Sequence, residues 1–122
     1  RESFRPFAPS ILKEEISNYF VQNDNVPFME KVFDIKKEKH AEIPAVTHVD
    51  GTGRLQSVSK NVNPLYYDLI NEFHKITGVP VIINTSMNVM GEPIVNTPEQ
   101  AYSMITKTDM DYLVMGENLI TR

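Results

Sequence analysis

Two short polar clusters contain the residue types in this chain that can do chemistry. The first cluster, residues 47–56, offers an imidazole, a carboxylate, two hydroxyls and a guanidinium around two glycines. The second cluster, residues 84–88, offers amides and hydroxyls. The candidate side chains are Thr47, His48, Asp50, Thr52 and Arg54 in the first cluster and Asn84, Thr85, Ser86 and Asn88 in the second. These groups suit an anionic ligand, and a phosphate or a carboxylate is the first expectation.

The second cluster follows residues 79–83, the most apolar run of the chain, which is typical of a buried strand. Open α/β sheets bind ligands at the carboxyl ends of their strands, so the cluster is predicted to lie at such a site. An extended backbone would point the side chains of Ser86 and Asn88 in the same direction. A hydroxyl and an amide on one side can together hold a phosphate oxygen or a carbonyl. The alternative is a loop that only ends the strand.

Arg54 is the main candidate in the first cluster. Glycines let the backbone approach a ligand closely, and arginine can bind an anion through two parallel hydrogen bonds. A surface salt bridge is the alternative. His48 is interpreted either as a ligand contact beside Asp50 and Thr52 or as a hydrogen-bonded structural histidine. No Ser-His-Asp triad is predicted, because nothing in the sequence places Ser86 near His48.

The charge of the chain favours a local anion site over a nucleic-acid surface. The formal net charge is -4 at pH 7, whereas nucleic-acid surfaces normally carry a basic patch. The basic stretch at residues 36–40 is short and interrupted by Glu38, which is typical of a solvated loop. Near the start, Arg1 and Arg5 flank Phe4 and indicate either a surface edge or a phosphate clamp.

Length and composition indicate one globular domain. The chain has 122 residues, of which 41% are hydrophobic, and no apolar run approaches the ~20 residues of a membrane span. It contains no cysteine, which excludes disulfides, thiolate nucleophiles and zinc–sulfur sites and fits a reducing cytoplasm. The three histidines lack metal-ligand spacing, so no metal site is predicted.

The first half of the chain is predicted to form one helix and three strands. Ser10 is the expected cap of a helix over residues 11–20, and a strand is expected over residues 28–35. Strands over residues 43–49 and 54–59 are expected to pair through a hairpin-like turn at the Asp50-Gly51 pair.

The second half is predicted to contain two helices and three strands. Asn63 is the expected cap of a helix that begins at Pro64 and ends at Gly78, followed by a central strand over residues 79–84. A second helix is expected over residues 98–106, and closing strands over residues 111–115 and 118–121. The predicted apolar face of the first helix consists of Leu65, Leu69, Phe73 and Ile76, joined by Tyr66 and Ile70. Interleaved helices and strands give an α/β or α+β fold with a mixed sheet.

Four blocks of this sequence, in this order, resemble the C-terminal domain of the nodulation-type O-carbamoyltransferase family. Gly53 stands where the family commonly has alanine, and Met87 where phenylalanine is usual. The matching blocks are residues 1–10 (RESFRPFAPS), 43–56 (IPAVTHVDGTGRLQ), 77–88 (TGVPVIINTSMN) and 91–95 (GEPIV). The resemblance implies a YrdC-like twisted mixed sheet with packed helices. It also implies that residues 1–122 are an incomplete piece of a longer enzyme and are expected to be inactive alone.

The resemblance further implies an enzyme that makes carbamoyl-adenylate from carbamoyl phosphate and ATP with Mg²⁺, then transfers the carbamoyl group to an acceptor hydroxyl. The acceptor and a metal would lie in an N-terminal domain of the same polypeptide. Ser86 and Asn88 match the Ser-x-Asn element of YrdC-like domains, and Arg1 is a candidate for the arginine of their Lys-x-Arg element. The alternatives are a threonylcarbamoyl-adenylate synthase acting in tRNA modification, or a binding module without catalysis.

Overall fold

The computed structural model describes residues 4–122, which form two compact units, Arg1–Thr85 and Ser86–Arg122. In the first unit the strands and helices are, in chain order, β1 Ala8–Leu12, α1 Ile16–Tyr19, β2 Phe33–Asp34, β3 Thr52–Gly53, β4 Gln56–Val58, α2 Pro64–Thr77 and β5 Val81–Asn84. Single turns of 3₁₀ helix lie at Lys13–Glu15, Lys37–Lys39 and Pro44–Val46. In the second unit they are α3 Pro98–Lys107, β6 Tyr112–Met115 and β7 Asn118–Thr121.

The main sheet of the first unit has the order β4-β1-β5. β1 runs parallel to β4, with Ser10 opposite Gln56, and antiparallel to β5, with Ser10 opposite Ile82. All five residues of β1 are buried. The prediction that β5 is the central strand is therefore wrong for this sheet, because β1 lies between β4 and β5.

The predicted helix over residues 11–20 is wrong in its first half. Residues through Leu12 belong to β1, and only the last part forms a 3₁₀ turn and the short α1. Ser10 is accordingly not a helix cap but a fully buried strand residue. The apolar spacing that suggested a helix, Ile11, Ile16 and Tyr19/Phe20, marks residues that share one core cluster although Ile11 belongs to a strand. Leu12 joins a different cluster, as expected for consecutive strand residues on opposite faces of a sheet.

Two predicted strands are largely replaced by turns. Within residues 28–35, only β2 and the bridge residue Ile35 form β-type pairs with other segments. Phe28 is 83% exposed, and Met29 turns the chain with a φ of 56°. Residues 43–49 contain the 3₁₀ turn at Pro44–Val46 in place of a strand. β3 therefore pairs with β2 rather than with a strand before it, and the expected hairpin is absent from the described residues.

α2 begins and ends where the sequence predicts. The side chain of Asn63 accepts a hydrogen bond from the Tyr66 amide, and Gly78 ends the helix with a φ of 77°. The buried face differs from the prediction, however. Ile70 is fully buried against Leu12 and Val58, with the two tyrosines of the helix packed beside it.

The larger core cluster lies on the other side of the sheet. Phe20 is fully buried and meets Phe33 edge-on, with ring centroids 6.4 Å apart. This cluster holds the connections on either side of the first polar cluster in place. Its buried members are Ile11, Ile16, Tyr19, Phe20, Val26, Phe33, Ile35, Ile43, Val46, Leu55 and Val81.

The second unit consists of α3 and the antiparallel β6–β7 hairpin, as the sequence predicts. Thr97 caps α3 by accepting a hydrogen bond from the Gln100 amide at 3.2 Å. Ala101, Ile105 and Leu113 form its buried core. With helices and small sheets in both units, the chain has a mixed fold consistent with the predicted α+β class.

Ser57 provides a test of the first unit's polar packing. Its hydroxyl accepts a hydrogen bond from the Val26 amide and donates one to the Asn25 side chain, both at 2.8 Å. Ser57→Ala would leave the buried amide unpaired, so we expect the free energy of unfolding to fall by about 1–3 kcal/mol in urea denaturation. The exposed Ser17→Ala is the control and should change it by less than about 0.5 kcal/mol. Equal effects of the two substitutions would contradict this packing.

Candidate functional site

The first polar cluster forms a turn that its own side chains close. The Asp50 carboxylate accepts hydrogen bonds from the Thr52 hydroxyl at 2.7 Å and from the Thr52 amide at 3.0 Å. These bonds to Thr52 lower the pKa of Asp50 below its ordinary value. The His48 amide donates to the Thr52 carbonyl at 2.7 Å, which closes the turn from the other side. The Asp50-Gly51 turn is thus confirmed.

The same contacts fix the tautomer of His48. The only hydroxyl proton of Thr52 goes to Asp50, and the Thr52 oxygen lies 3.1 Å from His48 Nδ1. Nδ1 must therefore carry the proton and donate it, which leaves Nε2 of the neutral ring as an acceptor. No hydrogen bond within residues 4–122 engages Nε2. Half-buried His48 combines both sequence interpretations, because one nitrogen is structural and the other is available to a ligand.

The two glycines of this cluster serve packing. A Cβ on Gly51, which has a φ of 84°, would lie 3.0 Å from the His40 ring. A Cβ on Gly53 would lie 2.9 Å from Ile35 Cδ1, since Gly53 is buried against the core. The structure thus gives these glycines a role in seating the turn against its neighbours.

Arg54 directly follows this turn and is exposed. Within the described residues 4–122, no carboxylate pairs with its guanidinium, so the salt-bridge interpretation finds no support there. The neighbouring Leu55 is fully buried, which anchors the backbone at this point. Arg54 therefore projects an exposed, unpaired positive charge from a backbone position that its neighbour anchors.

Arg5 and Thr47 share a cavity of about 340 Å³ in the first unit. The amide of Phe7 donates to the Ala45 carbonyl at 3.1 Å, which joins the two chain segments that form its walls. The Thr47 hydroxyl donates to the Ile43 carbonyl at 2.9 Å, so it can offer a ligand only its lone pairs. Arg1 lies outside the described residues, and its role stays a prediction.

Asn84 belongs to a polar network that sequence reasoning did not find. Its side-chain amide donates to Gln56 Oε1 at 2.7 Å, and the Ser10 hydroxyl donates to the same oxygen at 3.0 Å. The Tyr66 hydroxyl in turn donates to Ser10 Oγ at 2.8 Å. The network ties together β4, β1, β5 and α2 on one face of the sheet. Thr85, the next residue, is exposed.

Ser86 and Asn88 meet in a bend of the second unit. The Ser86 hydroxyl donates to Asn88 Oδ1 at 2.5 Å, while the Asn88 amide nitrogen donates to the carbonyls of Glu92 at 2.9 Å and Val89 at 3.2 Å. The expectation that the backbone is extended here is wrong, because the backbone N–H of Asn88 donates a hydrogen bond to the Ser86 carbonyl. The two side chains nevertheless lie together. Asn88 holds the loop, and Ser86 is exposed.

Residues 1–122 match the family described as Carbamoyltransferase C-terminus. The chain belongs to this family. The resemblance seen in the four sequence blocks is thereby confirmed.

Relatives of this carbamoyltransferase C-terminal region come from several bacteria and an archaeon. Nodulation protein NolNO of Sinorhizobium fredii and nodulation protein NolO of Bradyrhizobium diazoefficiens are each 46% identical to it over 125 residues and cover 100% of the chain. An uncharacterized protein of Synechocystis, sll1178, is 42% identical over 140 residues and covers 98% of the chain. The matched region is 18%, 23% and 23% of these three relatives, so the chain spans about a fifth to a quarter of their length.

Residues 4–122 contain no group of three His, Asp or Glu side chains placed to hold a metal ion. Among the same residues, no helix combines the length and the apolar character that crossing a bilayer requires. The chemical resources of the site are therefore two arginines, an oriented imidazole, hydroxyls and amides.

Proposed function

We propose that this region supplies the carbamoyl-adenylate-forming part of an O-carbamoyltransferase that works within a longer polypeptide. Family membership supports carbamoyl transfer in general. The observation that carries the finer proposal is Arg54, an exposed guanidinium without a carboxylate partner in the described residues. It follows the turn that holds His48, whose Nε2 has no hydrogen-bond partner among those residues. Positive charge and oriented polar groups are what a phosphate-bearing acyl donor requires.

The proposed reaction uses carbamoyl phosphate and ATP. Water releases carbamate and inorganic phosphate from carbamoyl phosphate, and a carbamate oxygen then attacks the α-phosphorus of ATP. The bond between the α- and β-phosphates breaks, and pyrophosphate leaves. An acceptor hydroxyl finally attacks the carbamoyl carbon and displaces AMP. No protein nucleophile is needed, so catalysis depends on charge stabilisation and positioning.

Each proposed residue has a distinct task in this scheme. Arg54 and Arg5 neutralise phosphate charge, and His48 Nε2 accepts a hydrogen bond from the carbamoyl NH₂ group. Ser86, held by Asn88, contacts the reacting carbamoyl or phosphate oxygens. Secondary substrate contacts are assigned to Arg1, Thr47, Asp50, Thr52, Asn84 and Thr85.

Magnesium is proposed to accompany ATP. Mg²⁺ usually keeps several waters and binds substrate phosphates with only one or two protein carboxylates. Asp50 is the one carboxylate among the proposed residues, and Thr52 already occupies it. The residues present therefore fit an ion carried by the ATP phosphates rather than by a protein cage. A second metal is assigned to the acceptor-binding domain outside this chain.

The proposed partners are carbamoyl phosphate, ATP and an N-terminal acceptor-binding domain of the same polypeptide. No nucleic acid or membrane is assigned as a partner, and the cytoplasm is the proposed location. The net charge of -4 is compatible with nucleotide binding, because the site needs only local positive potential.

The test is pyrophosphate release by the longer polypeptide that contains this region. We expect release from ATP to require carbamoyl phosphate, measured by a coupled pyrophosphate assay with and without the carbamoyl donor. A reaction that instead requires threonine and bicarbonate would assign the region to threonylcarbamoyl-adenylate synthesis. If neither donor supports pyrophosphate release, the proposal is overturned, and the region would be interpreted as a binding module without catalysis.

A further inference from the structure

β5 has one edge without a partner strand. β1 pairs with its other edge, and no strand within residues 4–122 continues the sheet beyond β5. In an antiparallel ladder alternate residues turn their N–H and C=O groups away from the partner, so β5 offers a row of such groups outward. Proteins usually protect an edge of this kind with charges, a proline or a bulge. β5 reads Val-Ile-Ile-Asn and has no charge.

An apolar cavity of about 380 Å³ lies at this edge. β5 contributes Val81, Ile82 and Ile83 to its lining, and Ile83 is 48% exposed. Phe73 of α2 lines it as well, and so do residues of the 3₁₀ turn at Pro44–Val46. The open edge therefore lies between two apolar walls, one from α2 and one from the 3₁₀ turn.

The outward side of α2 extends the first wall. Leu65, Leu69, Phe73 and Ile76 follow helical spacing along one side of α2, and their exposed fractions are 83%, 58%, 40% and 83%. At 100° per residue the side opposite Ile70 carries Asp68, Glu72 and Lys75 and is polar, whereas this apolar row lies beside the Ile70 side. A helix that buries only its Ile70 side would be polar along this row as well. This row, here called the α2 stripe, spans 12 residues, or roughly 16 Å from its first to its last Cα at 1.5 Å per residue.

We propose that the β5 edge and the α2 stripe form a docking groove for an extended segment from the remainder of the longer polypeptide. That segment would pair with β5 as a fourth strand of the sheet. A strand of about five residues, at roughly 3.3 Å each, matches the length of the α2 stripe. Its alternate side chains would face α2 and the 3₁₀ turn, so the segment should be a continuous apolar run.

The size of the relatives points to this occupant. The matched region accounts for only 18% to 24% of the length of five relatives, so such polypeptides contain roughly three to five times as much additional sequence. A covalently linked segment acts at an effective concentration in the millimolar range, which favours it over a separate molecule. The inference rests on family membership and does not depend on carbamoyl-adenylate chemistry.

Amide hydrogen exchange in the longer polypeptide tests the groove at single-residue resolution. If the segment pairs with β5, all four β5 amides should exchange at least about 100-fold more slowly than unpaired amides, at any protein concentration. If the amides that face away from β1 exchange like unpaired amides, the proposal is overturned. Protection of those amides that grows with concentration would assign the edge to a second copy of the chain and would overturn it too.

Matched charge substitutions provide a second readout in the same polypeptide. Leu69→Lys and Ile83→Lys place a charge in the groove, whereas Leu119→Lys places one at a site of β7 that is 64% exposed. We expect the two groove variants to lower the Tm by several degrees and to speed exchange of the outward β5 amides by at least tenfold. The Leu119 variant should do neither. Groove variants that behave like the control would refute docking, whatever the outcome of the pyrophosphate assay.

Discussion

Replacing Arg54 by alanine is expected to lower carbamoyl-phosphate-dependent pyrophosphate release by about 100- to 1000-fold, the loss typical of removing one donor to transition-state charge. The reason is the position of Arg54 at the end of a turn closed by Asp50 and Thr52 and anchored by Leu55. The anchored backbone limits where the guanidinium can reach, so only the side chain has to be ordered when it binds a phosphate. The measurement is the initial rate of pyrophosphate release by the longer polypeptide.

Two further variants separate lost charge from a damaged fold. Arg54→Lys keeps the charge but loses the two-pronged geometry, so its rate should lie between those of the wild type and the alanine variant. Arg122→Ala removes an exposed arginine that pairs with Asp109 at 3.3 Å, and it should change the rate less than twofold. A fully active Arg54→Ala variant with an unchanged Tm would remove Arg54 from the site.

Helices with strong end signals were the most predictable part of this fold. Asn63, Pro64 and Gly78 define α2, and Thr97 and Pro98 begin α3, because capping is a local effect of a few residues. The β6–β7 hairpin was also predictable, since its strands are adjacent in sequence. In each of these cases the information lies within one element and its immediate neighbours.

The elements that were mispredicted depend on distant partners. β1 reads as the start of a helix, yet it forms a strand because β4 and β5 pair with it from far along the chain. Of the predicted apolar face of α2, Tyr66 and Ile70 pack on the sheet together with Tyr67, whereas its other members are exposed. Tyrosine can pack its ring while its hydroxyl hydrogen-bonds, as Tyr66 does with Ser10.

For the candidate site, the sequence located the turn but not its internal bonds. Thr52 and Asp50 are two residues apart, and a side chain that bonds a backbone amide two residues on is a common local pattern. The tautomer of His48 can be assigned only from the structure, which places the Thr52 hydroxyl between His48 Nδ1 and the Asp50 carboxylate. The Ser10–Gln56–Asn84 network joins residues 28 to 74 positions apart, and no local pattern contains such information.

Asn88→Ala is expected to lower the rate of pyrophosphate release by about 100-fold, with kcat falling more than KM rises for either substrate. The Asn88 side chain accepts a hydrogen bond from the Ser86 hydroxyl and donates hydrogen bonds to the carbonyls of Val89 and Glu92. Without the Asn88 side chain, the Ser86 hydroxyl loses its orientation, and the loop loses the hydrogen bonds to the Val89 and Glu92 carbonyls. The kinetic constants for ATP and carbamoyl phosphate provide the measurement, and faster amide exchange over residues 86–92 should accompany the loss.

Asn88→Asp separates the two tasks of this side chain, because a carboxylate still accepts from Ser86 but no longer donates to the Val89 and Glu92 carbonyls. We expect its loop exchange to resemble that of Asn88→Ala, because both variants lack those two donors. Asn96→Ala removes an exposed amide of the same unit and should leave rate and exchange unchanged. If Asn88→Ala speeds loop exchange while kcat stays at the wild-type value, Asn88 supports only the fold of the second unit. The positioning of Ser86 would then have no part in the reaction.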